Sequence, residues 1–294
     1  MDQALEVLVA VIEKKNFTRA AEELSMTQPA VSQYIRSLEQ SLGAKLLERS
    51  NKYVRPTHAG DIVYHHAKSI LGTYTAMQSL VDDVMNRAGG ELAIGASYTF
   101  GEYVLPRLLA RLKQQYPLVR PSIHIGNTDV IGEMVLNYEI DIGIVEGEYE
   151  HAKLLVSPFA QDELQLVVPN EPRFQGRREL ELQELLQETW ILRESGSGTR
   201  RAAERMFEAR GQRPPYTLEF GSTQLIKESV EAGLGISLLS RWAVQKELQL
   251  GSLLLVPLRG EAVVRPFSWI LHHTPYRTKA VDVFLDMLKS PLQG

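Results

Sequence analysis

Four short turns rich in hydroxyl side chains lie where the sequence predicts that a strand ends and a helix begins. They are Ser97-Tyr98-Thr99, Asn127-Thr128, Ser195-Gly196-Ser197-Gly198-Thr199 and Ser222-Thr223. In doubly wound sheets, ligands bind at the carboxyl ends of strands, and helix N-termini there offer free N–H groups and a partial positive charge. The turns therefore predict a binding site for a small anion, with glycines that allow close backbone approach.

Ordinary helix capping is the alternative for each turn, since Ser, Thr and Asn are preferred N-cap residues. One such turn by itself favours capping, whereas several at strand ends together favour a ligand site. Tyr98 and Phe100 either limit the size of this pocket or belong to the core. Arg193 and Arg200 lie close in sequence to the third turn and would complement a compact oxyanion such as sulfite or sulfate.

Catalytic chemistry finds no comparable support. The chain has no cysteine, which excludes disulfides, thiolate zinc sites and cysteine nucleophiles. The GSGTR turn lacks the Gly-Lys-Ser/Thr ending of a nucleotide-binding loop, and Ser197 lacks the GxSxG context of a nucleophile. The adjacent pairs His65-His66 and His272-His273 do not share a face, as metal ligands must. We expect no enzyme, no metal and no cofactor, only a small anionic effector.

A second polar set lies on one face of a helix predicted to begin after Thr27. Thr27 can cap this helix, and Pro29 falls in its first turn, where a missing N–H costs little. Its apolar residues are expected to pack inward: Val31, Ile35, Leu38 and Leu42. Its opposite face carries Pro29, Ser32, Gln33, Arg36 and Gln40. That face is free of acid at its start, as suits a helix in the major groove.

The segments around this helix complete a small predicted domain. Leu5, Leu8 and Ile12 indicate a first amphipathic helix, and Thr18 is the expected cap of a second, Arg19–Leu24. After Gly43, the segment AKLLERSNKYVRPT predicts a β-hairpin wing. Between Thr27 and His58, five basic residues outnumber two acidic ones in a chain of net charge −4, which suits phosphate contacts. The alternative is three ordinary helices with a solvated run of charge.

The segment FTRAAEELSMTQPAVSQYIRSLEQSLGAKLLERSNKYVRPTHAG resembles the DNA-binding signature of the LysR-type transcriptional regulators. The F-T-x-A-A-x-x-L, T-Q-P-A-V-S, I-x-x-L-E-x-x-L-G, L-L-E-R and T-x-A-G elements stand in family order. The resemblance implies that double-stranded DNA is a partner. The implied DNA-binding residues are Thr27, Gln28, Pro29, Ser32, Gln33 and Arg36 near base edges or adjacent phosphates, and Arg49, Lys52, Arg55 and Thr57 near the backbone.

The resemblance also places an effector in the C-terminal part of the chain. It implies an effector-binding set of Ser97, Thr99, Phe100, Asn127, Thr128, Ser195, Gly196, Ser197 and Thr199. The SYT and RESGSGTR turns are most similar to the branch that contains CysL-like and CbbR-like regulators. Relatives in that branch respond to sulfur oxyanions or to phosphorylated and carboxylated metabolites, and both effector classes stay open.

A long helix is predicted between the two parts of the chain. Seven residues recur with alternating steps of four and three: Val63, Ala67, Ile70, Tyr74, Met77, Val81 and Val84. This heptad seam is typical of a coiled-coil pair and predicts a dimer; the alternative is a helix packed on its own domain. Ala88-Gly89-Gly90 is expected to form a joint. Relatives are often tetramers, and RNA polymerase is a further candidate partner.

The remaining two-thirds alternate strands and helices, which predicts a mostly parallel α/β sheet. We expect a winged helix-turn-helix over 1–58, a linker helix over 59–89 and a two-lobed effector domain, like a periplasmic binding protein, over 90–294. Lobe I takes 90–160 and 265–294, and lobe II takes 161–264, with crossovers near Pro158–Asp162 and Val263–Phe267.

These features together predict a DNA-binding regulator controlled by a small anion. Its N-terminus has no basic leader or cleavage site, and no segment has the ~18 apolar residues of a membrane span. We therefore expect a cytoplasmic protein with no membrane partner. A solute-binding transport protein is the main rival, but it predicts a secretion signal and no DNA-binding domain.

Overall fold

The computed structural model describes residues 2–49, 53–85, 90–260, 262–274 and 276–291. The chain forms two units, one of Met1–Arg87 with Leu136–Glu139 and the other of Ala88–Val135 with Ile140–Gly294. Each unit has its own buried apolar core. Among the helices of the described ranges, none is both long and apolar enough to cross a membrane.

The first unit is a three-helix domain with a hairpin and a long fourth helix. Its elements are α1 (Asp2–Lys14), α2 (Phe17–Glu23), α3 (Gln28–Leu42), β1 (Leu47–Arg49), β2 (Val54–Pro56) and α4 (His58–Val84). The core includes Leu8, Val31 and Ile35, as their helical spacing predicts. Leu42 was expected to pack inward too, but it is half exposed, because α3 ends there and Gly43 turns the chain away in a left-handed conformation.

The start of α2 differs from the sequence-based expectation. Asn16, not Thr18, is the N-cap residue: its side-chain oxygen accepts hydrogen bonds from the backbone N–H of Thr18 (2.8 Å) and Arg19 (3.0 Å). Asn is at least as good a cap as Thr, and its extended backbone here leaves Phe17 as the first helical residue. The helix therefore begins two residues earlier than predicted.

The predicted heptad seam divides into two parts along α4. Val63 and Ala67 pack against the core of the first unit, so at this end the alternative, a helix packed on its own domain, is correct. The rest of the seam is exposed on α4. Its members Ile70, Tyr74, Met77 and Val81 are about half exposed, and Val84 is 81% exposed. The predicted joint at Ala88-Gly89 lies outside the described residues.

The second unit alternates strands and helices along the chain. Its elements are β3 (Glu91–Ser97), α5 (Leu105–Gln115), β4 (Arg120–Gly126), α6 (Thr128–Leu136), β5 (Ile142–Glu146), β6 (Leu154–Pro169), β7 (Trp190–Arg193), α7 (Gly198–Ala209), β8 (Thr217–Phe220), α8 (Thr223–Glu231), β9 (Ser237–Ser240), α9 (Gln245–Leu250), β10 (Leu253–Val256), β11 (Val263–His272) and α10 (Lys279–Leu288). A π-helical turn, Phe100–Val104, leads into α5.

The main sheet is mixed, which corrects the expectation of a mostly parallel one. Its order is β10-β6-β11-β5-β3-β4, and β9 also pairs with β6. Only β3 pairs in parallel, with β4 and β5; β11 and β6 run antiparallel to their neighbours in this sheet. The reason is that the chain leaves lobe I along β6 and returns along β11, and these two strands pair with each other in opposite directions.

Both predicted crossovers lie inside these long strands, so continuous β-structure joins the lobes. One apolar core, with Phe100, Phe267 and Phe284, belongs to lobe I. Two further cores, around Trp190 and Ile226, belong to lobe II. The predicted helix LELQELLQE is only one 3-10 turn, Leu182–Leu185, whose start is held by a capping box between Glu181 and Glu184.

Candidate functional site

The outer face of α3 offers a row of polar side chains to solvent. Thr27 caps the helix by accepting a hydrogen bond from the Ala30 N–H, and Pro29 lies in the first turn, as predicted. Gln28, Pro29, Gln33 and Arg36 are exposed, and Ser32 is half-buried. The Gln28 amide donates to the Ser32 hydroxyl (2.9 Å), which orients two of the predicted base-reading side chains relative to each other.

A buried glutamate ties the hairpin to this helix. Glu39 in α3 accepts hydrogen bonds from the backbone N–H of Leu46 (2.9 Å) and Leu47 (3.3 Å), where β1 begins. Gly60 fits against the same point, because a Cβ there would lie 1.9 Å from the Leu46 carbonyl oxygen. The L-E-x-x-L-G and T-x-A-G motifs thus both serve to fix the hairpin.

The hairpin residues predicted to grip DNA have local partners. The Arg49 guanidinium lies 4.5 Å from the centre of the Phe17 ring, and Arg55 forms an ion pair with Glu48 (2.6 Å). The Thr57 hydroxyl caps α4 at Gly60 N–H and donates to the Lys45 carbonyl (2.7 Å), so it holds the start of α4 beside the hairpin. Lys52 lies outside the described residues.

In the second unit, a buried arginine without a sequence-based prediction joins two of the predicted hydroxyl turns. Arg265 of β11 is 1% exposed and donates to the hydroxyl oxygens of Thr99 (3.0 Å) and Thr199 (2.9 Å). It also forms ion pairs with Asp162 of β6 (2.8 Å) and Glu146 at the end of β5 (2.8 Å). We call these five residues the lobe junction, because they bring together both lobes and both crossover strands.

The two carboxylates of the lobe junction have further partners. Asp162 accepts a hydrogen bond from the Ser240 hydroxyl (2.6 Å), and burial raises the pKa of Asp162 even though Arg265 opposes this effect. Glu146 accepts a hydrogen bond from the backbone N–H of Phe100 (3.0 Å). One guanidinium therefore faces two buried carboxylates.

Thr128 and Ser97 form a separate buried pair beside the lobe junction. The Thr128 hydroxyl donates to the Glu146 carbonyl (3.1 Å) and lies 3.2 Å from the Ser97 hydroxyl. Thr128 thus fastens the start of α6 to the end of β5. Gly198, at the start of α7, packs against the same carbonyl so closely that a Cβ would lie 2.0 Å from it.

The Asn127-Thr128 turn of lobe I contacts the Ser195–Thr199 turn of lobe II. Asn127 caps α6 at the Val130 N–H (3.0 Å), and its amide donates to the Ser195 carbonyl (3.4 Å). Gly196 has a φ of +85°, which favours glycine, and Asn127 leaves no free space for a side chain there. Ser195 is exposed, whereas Ser197 is buried at the N-cap position of α7 without a capping hydrogen bond from its side chain.

Capping thus accounts for some of the predicted hydroxyl and amide residues and not for others. Asn127 and Ser222 do cap helices. The hydroxyls of Thr99, Thr128 and Thr199 are instead directed at the groups described above. Phe100 must be corrected: its ring is fully buried in the lobe I core, in edge contact with Phe159 and Phe267, so only its backbone N–H faces the site.

The two arginines expected to attract an oxyanion are both already paired with acids. Arg193 lies over the Tyr98 ring and donates to Glu194 (2.7 Å) and to the Thr223 hydroxyl (3.0 Å). Burial alone would raise the pKa of Glu194, but Arg193 holds it below its usual value. Arg200 pairs with Glu204 and Glu219 on the half-exposed side of α7.

The chain matches two family models that together cover most of its length. One, described as "Bacterial regulatory helix-turn-helix protein, lysR family", matches residues 3–61. The other, described as "LysR substrate binding domain", matches residues 86–293. Their order follows that of the two parts recognised in the sequence.

Curated relatives are similar over nearly the whole chain. The HTH-type transcriptional regulator CysL of Bacillus subtilis is 38% identical, over 99% of this chain and 97% of its own length. A probable RuBisCO transcriptional regulator of Gracilaria tenuistipitata is 32% identical, over 97% of this chain and 94% of its own length. Both are named as transcription regulators and not as enzymes, which confirms the expectation of a regulator without enzymatic activity. They also confirm the resemblance to the CysL-like and CbbR-like branch.

Solved structures share the fold. Full-length CbnR in complex with its target DNA superposes with a TM-score of 0.73 at 21% identity, covering 98% of this chain and 99% of that one. The regulatory domain of CcmR from Synechocystis, solved with 2-PG, gives a TM-score of 0.63 at 28% identity and covers 68% of this chain and 96% of that one. The predicted α/β architecture with an N-terminal helix-turn-helix is confirmed.

Proposed function

The chain belongs to the LysR family of DNA-binding transcriptional regulators, and we propose that a small anion controls it by binding at the lobe junction. Thr99 and Thr199 come from different lobes, so a ligand held by both would link the lobes. Binding there would favour one arrangement of the effector domain over others, and this preference is what a regulatory ligand needs.

The observation that carries this proposal is a pair of unused hydrogen-bond donors. The Thr99 and Thr199 oxygens each accept from Arg265, yet among the described residues neither hydroxyl donates a hydrogen bond. A hydroxyl group can donate one hydrogen bond as well as accept, so each of these two buried side chains keeps a donor available for a further partner. Two inward-facing donors beside a guanidinium suit a ligand that is rich in acceptor oxygens.

An oxyanion has that chemistry. Sulfite or sulfate is one candidate class, supported by the similarity to CysL. A carboxylated or phosphorylated metabolite is the alternative, supported by the likeness to RuBisCO regulators and to a regulatory domain solved with 2-PG. A transport role fits less well, because the helix-turn-helix of a DNA-binding regulator forms part of the chain.

DNA and a second copy of the chain are the proposed macromolecular partners. The exposed polar face of α3 is the part proposed to enter the major groove, with Gln33 and Arg36 at its centre. The exposed stretch of the α4 seam is the part proposed to pair with the same stretch of a second chain. Such a dimer would present two copies of α3 to two half-sites of DNA. A regulator that binds DNA would act in the cytoplasm, which is the location that we propose.

Thermal melting with a panel of ligands tests the anion site. The panel contains sulfite, sulfate, thiosulfate, phosphate, and small carboxylates and phosphorylated metabolites. A ligand at 100 times its Kd stabilises the protein by roughly 2.7 kcal/mol. We expect one class to raise the Tm of the wild-type chain and to lose most of that effect in Thr99→Val and Thr199→Val, which remove the donors but keep the side-chain shape.

Thr217→Val is the matched control, because Thr217 is exposed on β8 in lobe II. It is expected to keep the full ligand response. An equal response in Thr99→Val, Thr199→Val and the control would move the effector away from the lobe junction.

A further inference from the structure

The lobe junction has more acidic than basic side chains, which is unusual for a site that is proposed to bind an anion. Arg265 is the one cation of this cluster, and Glu146 and Asp162 are both buried against it. Each of the five N–H bonds of a guanidinium can donate one hydrogen bond. Arg265 contacts four residues, and Asp162 accepts from two of its N–H groups. All five N–H donors of Arg265 are therefore in use.

The two carboxylates hold Arg265 in different ways. One oxygen of Asp162 receives both Nε and Nη2 of Arg265, and the other oxygen accepts from Ser240. Asp162 and Arg265 face each other across the paired strands β6 and β11, which fixes this contact in the framework. Glu146 takes only one Arg265 nitrogen (2.8 Å) and lies at the last position of β5, directly before Gly147 with its positive φ.

Glu146 uses the kinds of donor that an oxyanion would use. One of its oxygens accepts from a guanidinium, and the other accepts from the Phe100 N–H at the start of the π-helical turn. Guanidinium groups and free N–H groups at helix starts are the usual partners of bound oxyanions. The carboxylate is thus an internal anion placed on the donors nearest to Thr99 and Thr199.

We propose that Glu146 is a specificity-determining residue that competes with the effector for Arg265 and the Phe100 N–H. An incoming anion binds by displacing the Glu146 carboxylate from these donors. The displaced carboxylate keeps its negative charge nearby, and this charge lowers the affinity of the site for anions. This inference rests on the proposed anion site at Thr99 and Thr199. It adds that the affinity of this site is limited by a carboxylate of the chain itself.

Sulfate binding to Glu146→Gln tests the competition. The probe is sodium sulfate, added to the purified full-length chain at constant ionic strength, with Kd taken from the concentration dependence of melting. Glutamine can still accept from the Phe100 N–H but carries no charge. We expect sulfate to bind the variant at least about tenfold more tightly than wild type, since one unit charge a few ångströms away is removed.

Glu148→Gln is the matched control. It makes the same change in charge two residues along, at a side chain that is 79% exposed and paired with Arg205. We expect its Kd for sulfate to stay within about twofold of wild type, because exposed charges are screened. Adding Thr199→Val to Glu146→Gln is expected to remove the gain, which places the bound sulfate at the lobe junction.

The outcomes separate this inference from the proposed function. If wild type and Glu146→Gln bind sulfate equally, Glu146 does not compete, and the anion site stands without it. If sulfate stabilises neither chain, the competition for sulfate fails, and the anion site is decided separately by the other ligands of the melting panel. Should Glu146→Gln not fold, Glu146→Asp decides: its shorter side chain withdraws from Arg265, and an unchanged or weaker sulfate affinity would overturn the inference.

Discussion

Thr128 and Thr199 both lie in the first turn of a helix, yet their hydroxyls form different hydrogen bonds. The Thr199 oxygen accepts from Arg265, and its hydrogen is free to meet a ligand. The Thr128 hydroxyl is occupied by backbone groups of Glu146, with the Glu146 carbonyl as its acceptor. The two residues have the same type and the same place in a turn, but only the Thr128 hydroxyl donates a hydrogen bond, so in the proposed function Thr128 holds the site together and Thr199 contacts the ligand.

Thr128→Val is therefore expected to affect stability more than ligand binding. Removal of its hydroxyl leaves the Glu146 carbonyl without this partner in a fully buried place, which costs about 1–3 kcal/mol. Urea unfolding of the variant and of wild type measures this loss. The response to the stabilising ligand, compared at equal fractions of folded protein, is expected to persist.

Thr199→Val provides the comparison for that experiment, since it makes the same chemical change in the same kind of position. It is expected to lose the ligand response, and its apo stability also falls, because one N–H of the buried Arg265 loses its acceptor. A reversed pattern, with Thr128→Val losing the response and keeping its stability, would mean that the two roles have been exchanged.

The hydroxyl turns could be recognised from sequence because their members are close neighbours in the chain. Arg265 could not be recognised in this way, since it lies 103 residues from Asp162 and 166 from Thr99. Its only local signal is a charge within the otherwise apolar run of β11. The role of such a charge can be inferred only when the tertiary structure shows which carboxylates contact it.

At the scale of elements, sequence periodicity was enough to identify most helices and strands. It was not enough to predict which strands pair in parallel and which pair antiparallel. Val31, Ile35 and Leu38 of α3 are buried as their spacing predicts. The mixed sheet could not be predicted, because strand alternation does not reveal that β6 and β11 each pass through both lobes. Likewise, Leu182–Leu185 has the composition of a helix but forms a single 3-10 turn, with Leu182 and Leu185 buried.

The division of the α4 seam leads to a prediction about self-association. Val63 and Ala67 are used by the core of the first unit, whereas Tyr74, Met77 and Val81 have exposed apolar surface. We expect Met77→Asp to weaken the dimer at least about tenfold, because pairing would bury the new carboxylate without a partner. Analytical ultracentrifugation over a range of concentrations measures the change.

Thr75→Asp is the control for this prediction. Thr75 is also exposed on α4, two residues away, and so lies on a different face of the helix. It introduces the same charge and is expected to leave the dimer intact. Equal dissociation of the two variants, or of neither, would contradict pairing through the seam.

At the scale of the whole molecule, the acidic chain must still approach a polyanion. The net charge is −4, yet the helix-turn-helix segment carries a local excess of basic residues. DNA affinity that depends on such a patch falls as salt rises, whereas the recognition proposed for Gln33 and Arg36 depends on base edges. Specific and non-specific binding are therefore distinguished by comparing the DNA upstream of the chain's own gene with random DNA at one salt concentration.

Effector and DNA sites on one molecule must influence each other equally if the anion regulates transcription. By linkage, the factor by which the effector changes the Kd for DNA equals the factor by which DNA changes the Kd for the effector. We expect a factor of about five or more in both directions, typical of allosteric coupling energies of 1–3 kcal/mol. Fluorescence anisotropy with labelled upstream DNA, and calorimetry with the ligand that gave the largest melting shift, measure the two factors.

Thr199→Val should reduce both factors to one while its affinity for DNA without ligand stays that of wild type, because the substitution lies in the effector domain. This requirement is stricter than a loss of ligand binding. A wild-type chain that binds the ligand tightly and shows a factor of one in both directions would have a ligand site without regulation, since a ligand with equal affinity for two states shifts neither. In that case the anion at the lobe junction would stabilise the fold, and the regulatory signal would have to enter elsewhere.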